Sequence, residues 1–299
     1  MAKTKVPPPS TLAAMLPALP PQAVAILDRT VSLGSAACAW ILAQEKATLA
    51  AYAGAAILAY VLLSVLLSPR VPRVDVRLTE EEKRGVPGKK WKPGTKFPAD
   101  RIPCYDPGTF DVLGPDMKAM TRDEVVAKIE KARAAQAQWK HSSFKQRRFL
   151  LKVIARFILD NQDDICRVSA RDSGKPLVDA AFGEILVTLE KIKWLLREGE
   201  RWLKPERRSA GLMMFYKSAR VEYRPAGVMG AIVPWNYPFH NVFNPLLANV
   251  FAGNALVVKV SEHASWSSLY YGRAIEACLE AAGAPKDLVQ IVHGYAEAG

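Results

Sequence analysis

The sequence predicts an α/β protein in which an N-terminal transmembrane helix precedes a doubly wound parallel sheet. Three observations carry this prediction. Short apolar runs at 228–233, 255–260 and 288–292 alternate with helical stretches at 241–252 and about 265–282. Strand, helix, strand, helix, strand is the βαβαβ half of a doubly wound sheet, a mononucleotide-binding unit. Far upstream, 23 consecutive uncharged residues, 47–69, lie between Lys46 and Arg70. Finally, half of the 299 residues are hydrophobic and 23% are charged. That supplies a sizeable core and excludes a disordered chain. The 18 Gly and 21 Pro exclude a collagenous one. Four Cys, at 38, 104, 166 and 278, are too few for a disulfide scaffold. Without Cys-x-x-Cys spacing or clustered His, they also argue against a zinc site.

Lys3 and Lys5 resemble the basic start of a cleavable signal. However, Pro7, Pro8, Pro9, Pro17, Pro20 and Pro21 interrupt the stretch after them and Asp28-Arg29 closes it, so a signal is the second choice. Residues 31–44 are uncharged and contain Gly34; they form either the first arm of a hairpin or an interfacial segment. As a helix, the 47–69 stretch spans about 34 Å against a hydrocarbon core of about 30 Å. A buried soluble helix is the alternative, but such helices are rarely apolar all round over this length. After the span come Arg70, Arg73, Arg77, Lys83 and Arg84; before it, within similar reach, only Arg29 and Lys46. The positive-inside rule then places the C-terminal part in the cytosol; the expected location of the anchor is an endomembrane such as the endoplasmic reticulum. The run continues through Lys89, Lys90, Lys92 and Lys96 and explains part of the +12 net charge. It reads either as a patch for anionic membrane lipid or as a solvated linker partly offset by Glu80, Glu81 and Glu82. Nucleic acid is not an expected partner, because no aromatic-and-basic module accompanies the charge. The expected organisation is an anchor over 1–69, a basic linker over 70–99 and a folded unit over 100–299.

Within that unit, Asp106-Pro107-Gly108 makes a turn. Thr121 reads as an N-cap, with Glu124 completing a capping box. The next helix buries Val125, Ile129 and Ala132 and ends near Trp139. A second helix, from about Lys145, puts Leu150, Ile154, Phe157 and Ile158 on one face. Gly174-Lys175-Pro176 breaks the pattern. A long helix then runs over 177–202, with Ile185, Leu189, Ile192 and Leu196 as its apolar stripe. The runs 213–216 and 221–223 are β-like and are expected to pair as a ribbon. The first strand of the βαβαβ unit ends at Pro234, its first helix at Gly253-Asn254 and its second helix at Gly283. In such sheets ligands bind outside the carboxyl ends of the strands. Asn236 stands just past the first strand and Lys259 at the end of the second. No Gly-x-Gly-x-x-Gly follows the first strand, so the ordinary dinucleotide fingerprint is absent. Cys166 and Cys278 fall in helical contexts and read as core thiols, and His240 reads as packed beside Phe239.

Two blocks are specific. Gly227-Val-Met-Gly-Ala-Ile-Val-Pro-Trp-Asn236-Tyr-Pro is followed by Ala252-Gly-Asn254-Ala-Leu-Val-Val-Lys259-Val-Ser-Glu262. Their Pro-Trp-Asn-aromatic-Pro, Ala-Gly-Asn and Lys-x-x-Glu elements, at this separation, resemble the aldehyde dehydrogenase superfamily. Tyr105-Asp106-Pro107, Trp139, Arg147-Arg148 and Ser173-Gly174-Lys175-Pro176 extend the similarity over about residues 100–299. The anchor and basic linker ahead of it look like the branch called family 22 aldehyde dehydrogenase. The resemblance implies a Rossmann-like cofactor domain over 100–299 and NAD(P)-dependent oxidation of aldehydes to carboxylic acids. That reaction runs through thiolate attack, hydride transfer and thioester hydrolysis. By the same resemblance, Asn236 donates its amide to the oxyanion, the role of a fixed donor aimed at developing charge. Lys259 and Glu262 match the pair that binds the adenosine ribose, and a carboxylate there favours NAD over NADP. Ile232, Val233, Pro234 and Trp235 match the wall along the cofactor. Val260 stands where Pro is commonest, a variation other members share.

The resemblance places the nucleophilic Cys, the general-base Glu and a Gly-rich phosphate segment downstream of Gly299. The expectation is therefore a truncated form of a membrane-anchored NAD-dependent enzyme that does not oxidise aldehydes by itself. Small-molecule aldehyde and membrane lipid are the expected partners of the complete protein, which is expected to be a homo-oligomer. One alternative is a non-catalytic short form joined to full-length subunits through the 213–223 ribbon. The other is a membrane-tethered nucleotide-binding protein.

Overall fold

A computed structural model describes residues 21–66, 70–96 and 98–299, without the side chains of parts of the first helix. The 1–20 stretch weighed as a signal, and residues 67–69 of the expected span, lie outside these residues. Two compact units are present, residues 1–70 and 71–299. In the first, α1 runs unbroken over Pro21–Leu66. It fuses the two uncharged stretches through Glu45 and Lys46, and Thr48, Gly54 and Tyr60 dilute its apolar half. Among the described residues, no helix is long and apolar enough to cross a membrane. The transmembrane span expected at 47–69 is corrected to that extent.

In the second unit, residues expected as a basic linker take part in packing. Val74 and Leu78 are buried, and a short helix, α2 (Glu80–Arg84), follows them. Several of the basic residues are paired: Arg77 with Asp75 at 2.8 Å, Lys83 with Glu80 at 3.0 Å and Lys90 with Asp111 at 2.8 Å. Two two-residue strands, β1 (Arg101–Ile102) and β2 (Met117–Lys118), pair antiparallel.

The capping box of Thr121 and Glu124 opens α3 (Arg122–Trp139), which buries Ala132 and Trp139. A second box, Ser143 with Gln146, opens α4 (Phe144–Asp160), and Leu150, Ile154, Phe157 and Ile158 are buried on its inner face. Asn161 separates α4 from α5 (Gln162–Ser173). The long helix α6 covers 177–203 and carries two π-helical turns, Ala181–Leu186 and Leu195–Gly199. The ribbon differs from expectation. Its strands are β3 (Glu206–Arg208) and β4 (Ala219–Val221), while Leu212–Met214 is a 3-10 turn at the tip. Neither strand buries a face, so apolar content is no guide to its register.

The sheet has the predicted connectivity. β5 (Val228–Ile232), β6 (Ala255–Lys259) and β7 (Val289–Val292) are parallel in the order β5-β6-β7. They are linked by α7 (Pro238–Ala252) and α8 (Ser265–Ala281). α3 packs along all three strands, while α7 and α8, which contact each other and α4, cover β6 and β7. A parallel sheet needs such cover, and β6 is accordingly buried from Ala255 to Val258. Upstream residues hold the end of α7. The indole of Trp139 donates to Val250 O at 2.8 Å, and buried Arg147 donates to Phe251 O at 3.1 Å.

Candidate active site

The site is built where β5 and β6 end side by side. Ile232 is opposite Lys259 in the parallel register, and Val233 N donates to Lys259 O at 3.1 Å. Beyond β5 the chain turns through Pro234, Trp235 and Asn236 into α7, whose first turn Pro238 starts with a φ suited to a helix. Ile232, Pro234 and Trp235 are exposed and Val233 is half-buried. They leave an apolar strip that a flat ligand can cover.

Asn236 is exposed, and its Oδ1 accepts from Asn241 Nδ2 at 3.0 Å. The same Asn241 amide donates to Pro234 O at 3.1 Å. With its oxygen engaged on an exposed residue, the Asn236 amide has its N–H groups left to serve as donors.

Beyond β6, Ser261 caps the turn Glu262–Ala264 through His263 N. That turn folds Glu262 back onto Lys259, with Nζ to Oε2 at 3.3 Å. Burial pushes the Glu262 carboxyl upward, but a backbone hydrogen bond and the Lys259 ammonium outweigh it and leave the group below its ordinary range. An ionised carboxylate at this position accepts from paired hydroxyls and repels phosphate. The structure thus brings the predicted residues to one edge but not into one hollow, and Val233, Pro234 and Asn236 line neither of the two found there. Ile232 and Lys259 line one of about 250 Å³. Trp235 and Glu262 line a larger one of about 520 Å³.

The larger hollow holds residues that sequence reasoning did not single out. Trp91 and Tyr105 stack in its wall with centroids 4.1 Å apart. Asp172 lies buried beside them and accepts from Ser267 N at 2.8 Å. Burial pushes its carboxyl up to about 7, against the lowering effect of Ser267. The other residues not anticipated are Lys175 and Glu184, which pair at 2.6 Å behind the Asn236 loop. Their partners are distant in the chain, and the only local sign was Gly174-Lys175-Pro176. Cys166 and Cys278 are buried as read, and Cys104 is buried as well: burial pushes Cys104 and Cys278 up to about 12, and raises Cys166. His240 is half-buried, its Nδ1 3.0 Å from Thr188 Oγ1, and burial lowers its pKa.

A parallel βαβαβ sheet with a charged pair and an amide at its carboxyl edge defines the class, a doubly wound α/β unit. The aldehyde dehydrogenase family profile matches residues 91–299, and the chain belongs to that family. It is 44% identical over 214 residues to an aldehyde dehydrogenase-like protein of Saccharomyces cerevisiae, covering 71% of this chain and 33% of that one. A Schizosaccharomyces pombe aldehyde dehydrogenase-like protein is also 44% identical, over 64% of this chain and 36% of its own. The crystal structure of an aldehyde dehydrogenase from Brucella melitensis superposes with a TM-score of 0.60 at 26% identity, covering 66% of this chain and 39% of the other. The chain thus spans about a third of the length of the curated relatives it matches.

Proposed function

We propose that residues 71–299 form the first part of the catalytic unit of an NAD-dependent enzyme that oxidises aldehydes to carboxylic acids. The observation that carries this reading is the ionised Glu262, paired with Lys259 beside the loop of Asn236. Lys259 and Glu262 would hold the adenosine ribose, with Ile232, Val233, Pro234 and Trp235 along the cofactor. When bound, the cofactor supplies the hydride acceptor. Asn236 would stabilise the oxyanion formed on thiolate attack. None of the three described thiols suits that attack, because burial keeps Cys104, Cys166 and Cys278 protonated. The chain by itself is therefore proposed to bind nucleotide without turning aldehyde over. NAD is favoured over NADP, since Glu262 repels a 2′-phosphate. The test is calorimetric titration of the full chain: saturable binding of NAD is expected, and no binding of either nucleotide overturns the reading.

The tip of the β3–β4 ribbon supports a second role, association with further subunits. Leu212, Met213 and Phe215 are all more than four-fifths exposed there, a contiguous apolar patch of the kind that marks an interface. Co-purification with a full-length relative distinguishes this role from nucleotide binding alone. Attachment to an endomembrane, as in family 22, is also proposed. Its support is the uncharged 47–69 stretch and the exposure of Leu49, Tyr52, Ile57 and Leu58 on α1.

A further inference from the structure

The loop that carries Asn236 is gripped from behind by groups that the reaction itself does not require. The π-helical turn Ala181–Leu186 of α6 places Gly183 and Glu184 against it. A Cβ on Gly183 would clash with the Tyr237 ring, so a larger residue here would have to displace that ring. The Lys175 ammonium sits 4.2 Å from the centroid of the same ring, a cation–π contact on the residue next to Asn236. Glu184 is completely buried. It takes three polar partners: Lys175 Nζ at 2.6 Å, the Ser169 hydroxyl, and the His240 backbone N–H at 2.8 Å.

The last of these contacts decides the geometry. α7 has no side-chain cap of its own at Tyr237. In ordinary dinucleotide folds, phosphate oxygens sit at the N-terminus of the helix after the first strand. Here a protein carboxylate accepts from the first turn of α7 instead. The consequence passes along α7 to Asn241, one residue after His240, whose amide holds both Asn236 Oδ1 and Pro234 O.

We propose that Lys175, Gly183 and Glu184 are positioning residues that fix the Asn236 amide with its N–H groups left to donate. This inference rests on the proposed role of Asn236 as oxyanion donor. A buried pair is also costly unless fully hydrogen-bonded; besides each other, this one engages Ser169 of α5, the His240 N–H of α7 and the Tyr237 ring.

The test reads the Asn236 side-chain amide directly in the full chain by selective ¹⁵N-asparagine NMR. The chain has only six asparagines, so Asn236→Asp identifies the signal. Lys175→Met and Glu184→Gln are each expected to move the Asn236 pair of N–H signals by more than a linewidth. The Asn161 signals, at the far α4–α5 junction, should stay in place, and Lys175→Arg should keep the wild-type position. An unmoved Asn236 signal in a folded Lys175→Met chain overturns the proposal. If Glu184→Gln loses its native Asn161 signals, the Lys175 variants decide, because Lys175 can be exchanged for Arg without removing the charge. No nucleotide is used, so failure here is separable from failure of the nucleotide titration.

Discussion

Asp172 and His293 are buried groups held in their neutral forms, and they push stability in opposite directions. Burial raises the Asp172 carboxyl to about 7 and lowers the His293 imidazole to about 4. Between about pH 4 and 7 the unfolded chain gives up the Asp172 proton while the folded chain keeps it, so this group makes stability fall as pH rises. Between about pH 4 and 6.5 the unfolded chain binds a proton at His293 that the folded chain refuses, so this group makes stability rise with pH. The two nearly cancel over the shared window. Asp172→Asn, which still accepts from Ser267 N, is expected to unmask the His293 slope and to stabilise the chain at pH 8 by on the order of 4 kcal/mol. Urea unfolding across pH 4.5–8 measures it; equal slopes in wild type and variant contradict it. Neither residue was legible as special in the sequence, because burial is not a local property. Asn236, Lys259 and Glu262 were legible, since their neighbours Pro234, Trp235 and Ser261 form compact local blocks.

The two π turns of α6 have parallel uses. Gly183 meets Tyr237 near the start of α7, and Gly199 meets Phe251 near its end, where an added Cβ would lie 2.6 Å from the ring. Replacing a helical glycine by alanine normally gains about 1 kcal/mol. Gly199→Ala is expected to do the reverse, destabilising by roughly 1–3 kcal/mol through overpacking of buried Phe251. Thermal or urea unfolding reads the sign, and a stabilised variant refutes the contact. The stripe of Ile185, Leu189, Ile192 and Leu196 predicts a long helix here, and the helix is present. Its π turns were not readable, because the residues they bring close, Tyr237 and Phe251, are more than 50 positions away in the chain. The ribbon was illegible for a related reason. Met213 to Tyr216 look like a strand, yet the strands are charged Glu206–Arg208 and Ala219–Val221, which has an arginine at its centre, with the large apolar residues at the turn.

Taken as a whole, the chain carries a long helix and part of a family unit whose curated relatives are about three times as long. The sheet connectivity was legible because each strand–helix junction carries its own stop, Pro234, Gly253 and Gly283 among them. The anchor was less so: a charge count shows 23 uncharged residues, but α1 continues through Glu45 and Lys46. Flotation of cell membranes on a density gradient tests the proposed attachment. The full chain should rise with the membrane fraction; recovery in the soluble fraction alone contradicts it.

The proposed function depends above all on Lys259 and Glu262 forming a ribose clamp that prefers NAD. Calorimetric titration of wild type and Glu262→Gln with both nucleotides reads that preference. Wild type is expected to bind NAD more tightly than NADP, with the preference reduced at least several-fold in Glu262→Gln. Equal affinities in wild type, or a preference that survives the substitution, would contradict the clamp.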